Sequence, residues 1–146
     1  MRGALTSAAI RRTYTIHGGD FGNGGRASTA IKDLLKALAV PPDIVRRVAI
    51  AAYEAEMNVV MYAARGTVEM TVTPASVCLV VQDEGPGIAD IALAMQEGWS
   101  TATPEMREMG FGAGMGLPNI QCNSDQFEID SEVGRGTRLM IRVAVP

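Results

Sequence analysis

Thiols and imidazoles are scarce in this sequence: Cys78, Cys122 and His17 are all it has in 146 residues. With no Cys-x-x-Cys spacing and no Cys/His cluster, a zinc centre and a dithiol motif are excluded, and both cysteines read as buried thiols. Aromatic residues make up only 5% of the chain, and 13 Lys and Arg face 16 Asp and Glu, for a net charge of −3. Such a chain has neither a basic stripe nor a row of stacking platforms, so no nucleic-acid partner is expected. No apolar run approaches the ~20 residues of a membrane span, and Met1 to Ser7 lacks the apolar stretch of a secretory signal. The expectation is a cytoplasmic protein with no membrane partner.

Aliphatic residues and glycine are abundant. The chain is 47% hydrophobic, with nine Met and 16 Gly, enough for one aliphatic core within a single domain over residues 1–146. Arg12 to His17 alternates as a half-buried strand. Gly18 to Gly25 reads as a connector, because no Gly-Lys-Ser/Thr follows to make a phosphate loop. From Arg26, the residues Ala27, Ile31, Leu34, Leu35 and Leu38 recur at helical spacing until Pro41-Pro42, and a second, central helix runs from Pro42 to about Ala64. Thr67–Thr73 alternates as an edge-like strand, and Val77–Val81 is apolar throughout, as a buried strand would be. A short helix over Asp90 to Glu97, a long loop from Gly98 to Gly116 and a helix from Leu117 to about Asn123 follow. The chain closes with a hairpin: Phe127 and Ile129 before Gly134-Arg135-Gly136, then Thr137, Leu139, Ile141, Val143 and Val145 on one face.

Polar residues in unusual places mark the chemistry. Glu54 and Asn58, four residues apart, share one face of the otherwise apolar second helix. Alone, the pair fits a helix edge reaching water. Asp83-Glu84-Gly85-Pro86-Gly87 leaves a carboxylate at a strand end, where a planar ring with an exocyclic amine would fit, and Gly85 and Gly87 permit close backbone approach. Alone, this is an ordinary turn. Gly110, Gly112, Gly114 and Gly116 alternate into a helix, an arrangement whose free N–H groups suit a polyphosphate. A dinucleotide fingerprint does not explain that run, since it follows the polar segment Ser100 to Met109 rather than a strand.

In this order, and with Gly136-Thr137 opening the last strand, these pieces resemble the GHKL ATPase superfamily over about residues 12–145. The match is to its bacterial anti-sigma-factor and stress-response switch serine kinases. It rests on Glu54-Ala55-Glu56-Met57-Asn58, Asp83 to Ile88, Gly98-Trp99-Ser100-Thr101, Pro104 to Arg107 and Gly112 to Pro118. The resemblance implies an α+β fold: a two-layer α/β sandwich of the Bergerat ATP-binding type. Its sheet is mixed and mostly antiparallel, with helices on one face and the other face left for partners. It implies ATP or ADP with Mg²⁺ as cofactors. Glu54 would be the catalytic base, Asn58 the Mg²⁺ ligand, Asp83 the acceptor of the adenine amine and Thr137 a support of the adenine pocket. Further nucleotide contacts would come from Gly85, Gly87, Ile88, Ser100, Thr101 and Arg107, the last aimed at the γ-phosphate. Gly110, Gly112, Gly114, Met115, Gly116 and Leu117 would form the phosphate lid.

The implied activity is phosphorylation of a serine on a STAS-type antagonist protein. That exchange would control binding to a sigma factor, phosphatase or scaffold, and a homodimer fits the same pattern. The alternative is a non-catalytic, nucleotide-gated binding switch. A detached histidine-kinase domain would need a partner in trans, because His17 lies in a strand pattern.

Overall fold

The computed structural model describes residues 9–108 and 114–146. Its strands are β1 (Ile10–His17), β2 (Arg65–Val72), β3 (Ser76–Asp83), β4 (Gln126–Glu132) and β5 (Gly136–Ala144). Its helices are α1 (Arg26–Ala37), α2 (Pro42–Tyr62), α3 (Ile91–Ala94), α4 (Pro104–Glu108) and α5 (Gly116–Cys122). The strands form one sheet in the order β1-β2-β3-β5-β4. Every ladder is antiparallel, so among the described residues the sheet is antiparallel throughout rather than mixed. The α+β two-layer arrangement stands.

The register sorts the side chains into two faces. Tyr14, Val68, Val81 and Leu139 lie on one cross-strand line, and Met70, Leu79 and Ile141 on the next. That face is buried under α2, which crosses β1, β2, β3 and β5. Ala51, Ala52 and Ala55 are fully buried along α2, and their small side chains let the helix axis approach the sheet. Each buried Val, Leu or Ile of this layer contributes about 1.5–3 kcal/mol relative to exposure. The opposite face carries Thr13, Thr15, Thr67, Glu69 and Gln82 in register. Here the edge-like assignment of β2 is corrected. The strand lies between β1 and β3, and its alternation reports one-sided burial rather than an open edge.

Local chemistry sets the boundaries. Pro42 starts α2, with Asp43 in its first turn, where the fixed proline φ and the carboxylate both suit a helix N-terminus. The helix stops at Tyr62, short of the expected Ala64. Ala63 turns extended and the Ala64 N–H donates to the Glu84 carbonyl at 3.2 Å, so Arg65 and Gly66 already belong to β2. Helix α1 ends in a Schellman arrangement: the Val40 N–H reaches the Leu35 carbonyl (3.1 Å) and the Ala39 N–H reaches that of Lys36 (3.0 Å). Ala39 supplies the left-handed residue at φ 58°, a position usually taken by glycine.

At its other end α1 has no capping side chain of its own, and the buried Glu56 of α2 substitutes for one. Its carboxylate accepts the N–H groups of Gly25 (3.0 Å), Ala27 (3.1 Å) and Ser28 (2.9 Å).

Two further expectations are corrected. The span from Gly98 to Gly116 is not all loop, because Thr103-Pro104-Glu105 starts α4, with the Thr103 hydroxyl accepting the Met106 N–H at 3.2 Å. The thiols are not both buried: Cys78 is half-buried on the open sheet face and Cys122 is exposed at the end of α5.

Candidate functional site

A cavity of about 660 Å³ lies between α2, the end of β3, the β3–α3 segment and the start of α5. That volume suits a nucleotide. Helical spacing puts Glu54 and Asn58 one above the other on the α2 wall, with Met61 a turn further along. Apolar side chains of Val81, Ile88, Leu117 and Leu139 supply flat, dry surface, and Asp83 supplies a carboxylate among them.

Asp83 ends β3, still paired with Gly66 of β2 but past the last β5 pair at Gln82, and its side chain turns to the cavity. Its Oδ1 accepts the Thr137 N–H at 3.1 Å. Burial pushes this carboxyl above its ordinary pKa, and the N–H groups of Thr137 and Gly85 pull it part of the way back. A carboxylate offers about four lone-pair sites, so these two donors leave room for an amine.

Gly87 has φ 77°, and a Cβ there would run into the Glu132 carbonyl, so the turn after Asp83 can press against the β4–β5 hairpin only as glycine. Ser131 fastens the same contact. Its hydroxyl accepts the Ile88 N–H at 2.7 Å and meets the Thr137 hydroxyl at 2.8 Å.

Across the cavity, α5 begins against Asn58: a Cβ on Gly116 would lie 3.3 Å from the Asn58 Oδ1. One turn on, the Asn119 Nδ2 donates to Glu54 Oε2 at 2.7 Å. The glycine-rich segment therefore leads into a helix that touches both Glu54 and Asn58.

Of the residues expected from the sequence, the cavity brings together Glu54, Asn58, Asp83, Gly87, Ile88 and Thr137. It also takes in Ser100, Thr101, Gly114, Met115, Gly116 and Leu117. Gly85 does not line it and packs against Ala63 instead. Arg107 is exposed on α4 and does not line the cavity. Gly110 and Gly112 lie outside the described residues. Asn119 and Ser131 were not legible beforehand, since a lone Asn or Ser carries no pattern and only its neighbours in space assign it work. Tyr53 and Trp99, 40% and 39% exposed, line the cavity as well; Trp99 directly follows Gly98, a signal that could have found it, whereas Tyr53 sits mid-helix with none.

No group of three or more His, Cys, Asp or Glu side chains able to hold a metal exists among the described residues. A cation carried by phosphates would need little more from the protein than one amide oxygen, which Asn58 on the cavity wall could supply.

Taken with this geometry, comparison with known proteins defines the class: residues 23–143 match the histidine kinase-like ATPase domain, and the chain belongs to that family. An ATPase domain implies nucleotide binding, and this cavity is the candidate for it. Within the family the chain is of the same general kind as two groups of switch proteins. It is 30% identical to the serine/threonine-protein kinase RsbT of Bacillus subtilis over 97 residues, 64% of this chain and 67% of that one. It is 37% identical to an anti-sigma F factor of a Thermoanaerobacter species over 71 residues, 49% of this chain and 46% of that one. The chain thus spans about two thirds of the kinase and about half of the anti-sigma factor. In fold it is similar to a chain in the crystal structure of the SiaB–SiaC complex from Pseudomonas aeruginosa. The TM-score is 0.57 at 12% identity, over 99% of this chain and 95% of that one. No helix among the described residues is long and apolar enough to cross a membrane.

Proposed function

We propose that the chain transfers the γ-phosphoryl group of Mg-ATP to a serine of a STAS-type antagonist protein, and that this exchange controls its hold on a regulatory target. The observation that carries the reading is the pairing on α2. Glu54 and Asn58 line the same cavity as Asp83, and the Glu54 carboxylate is held by Asn119, with no ion pair to it among the described residues.

Asp83 accepts the adenine amine, while Val81, Ile88 and Leu139 exclude water from the ring. Asn58 would offer its amide oxygen to Mg²⁺. When bound, that ion screens the charge on the phosphates. The free oxygen of Glu54 takes the proton from the acceptor serine as its hydroxyl oxygen bonds to the γ-phosphorus. The bond to the β–γ bridging oxygen breaks, ADP leaves and phosphoserine remains.

Separate roles for the two α2 residues give a direct test. Millimolar Mg-ATP should raise the melting temperature of the wild type by mass action, because the ligand binds only the folded chain. Asn58→Ala should lose the Mg²⁺-dependent part of that shift. No shift in the wild type would sink the nucleotide site, and a full shift in Asn58→Ala would remove Asn58 from the metal.

A further inference from the structure

A second cavity, about 780 Å³, is formed by α1, the α1–α2 connection and α2. Its surface is aliphatic, with Val45 buried and Val40, Ala49 and Ile50 half-buried. Its rim is cationic. Lys32 and Lys36 stand one turn apart on α1, Arg46 projects from α2, and all three are exposed. The chain carries a net charge of −3, yet it gathers these cations round one apolar groove, and among the described residues none of them enters an ion pair. At one end the groove shares Tyr53 and Glu54 with the nucleotide cavity.

We propose that this groove docks the acceptor protein: an amphipathic segment sets its apolar side chains on Val40, Ala49 and Ile50. Its carboxylates meet Lys32, Lys36 and Arg46, and the adjoining serine reaches Glu54 past Tyr53. The inference rests on the kinase function proposed above and adds to it where, and by what chemistry, the acceptor is recognised.

Charge complementarity selects an acidic occupant. The aliphatic floor, with Tyr53 as its one aromatic, selects protein over nucleic acid, which would need stacking surfaces along the groove. An apolar groove edged by polar contacts is the form that receives a helical face. Continuity with the nucleotide cavity through Glu54 selects the acceptor over any other acidic protein.

The test compares the full chain with its K32E/K36E/R46E variant. The probes are purified STAS-domain proteins from the same genome, each with its acceptor serine intact and with that serine replaced by alanine. The variant should raise the KM for the acceptor by roughly tenfold or more, leave kcat at saturation within about twofold, and keep the Mg-ATP melting shift. Calorimetric binding of the serine-free acceptor should weaken in parallel, and charge reversal on the acceptor segment should restore it. The dock is overturned if the variant binds and phosphorylates the acceptor like the wild type. It is equally overturned if the wild type binds none of the STAS proteins, or if the substitutions abolish self-association or DNA binding instead. Wild type that binds the acceptor through this rim, yet never transfers phosphate, would overturn the kinase function and leave the dock standing.

Discussion

At the residue scale, Asp83 illustrates a site held at some cost to the fold. Its folded pKa is raised by burial, so its contribution to stability is present below the unfolded pKa and lost as pH rises through the folded one. At neutral pH the ionised group is a net cost. Asp83→Asn removes that cost and keeps an oxygen for the Thr137 N–H, but it presents N–H where, in the proposed complex, the adenine amine would need an acceptor. Thermal melts should show nucleotide-free Asp83→Asn at least as stable as wild type, with the Mg-ATP shift gone. A retained shift would remove Asp83 from the site. In the wild type, nucleotide affinity should fall as pH drops through the raised Asp83 pKa, because the protonated carboxyl gives up an acceptor.

In the reaction proposed above, Asn119 would act through Glu54 as a positioning residue. A hydrogen bond to a charged partner is worth about 1.5–3 kcal/mol, so Asn119→Ala should lower kcat for phosphotransfer by roughly 10- to 100-fold. The KM for ATP and the Mg-ATP melting shift should stay as in the wild type. Equal losses in both parameters would mean that Asn119 only supports the fold. The sequence made Glu54, Asn58 and Asp83 legible because each is a polar group forced into an apolar frame. It left Asn119 silent, since its meaning depends on α5 meeting α2.

At the element scale, long periodic segments were legible and short or strained ones were not. The apolar spacing of α1 and α2 and the Pro42 start announced two helices, and both formed. Helix α4 is only five residues long, too short for periodicity; its signal lay in Thr103-Pro104-Glu105 alone. The same limit applies to Arg107, which the sequence places in a loop and the structure places, exposed, in the last turn of α4.

The C-terminus of α1 offers a test independent of function. A left-handed residue with a side chain costs about 1 kcal/mol, and glycine removes that strain at the price of a looser unfolded chain. Ala39→Gly should therefore raise the melting temperature by about 2–5 °C without changing the Mg-ATP shift. A lower melting temperature would show that the Ala39 side chain contributes contacts that outweigh its backbone strain.

At the scale of the whole molecule, the sheet and the helical layer were legible from alternation and helical period, but the strand order was not. Nothing local in β5 says that it inserts between β3 and β4, and that insertion is what brings Thr137 to Asp83 and Ser131 to Ile88. The antiparallel pairing of β2 with β3 and of β3 with β5 then sets the end of β3 beside α2, where Glu54 and Asn58 already share a face. The groove on α1 and α2 meets the cavity at Glu54, so nucleotide and acceptor would approach one carboxylate from two sides.

That convergence makes Glu54 the point on which the account stands. The decisive measurement is the rate of phosphoserine formation on a STAS-domain acceptor, wild type against Glu54→Gln, with Mg-ATP binding followed in the same samples. The amide cannot accept the serine proton, and a general base contributes about 10²–10⁴-fold, so transfer should fall by that much while the Mg-ATP melting shift persists. Transfer by Glu54→Gln at the wild-type rate would contradict the account.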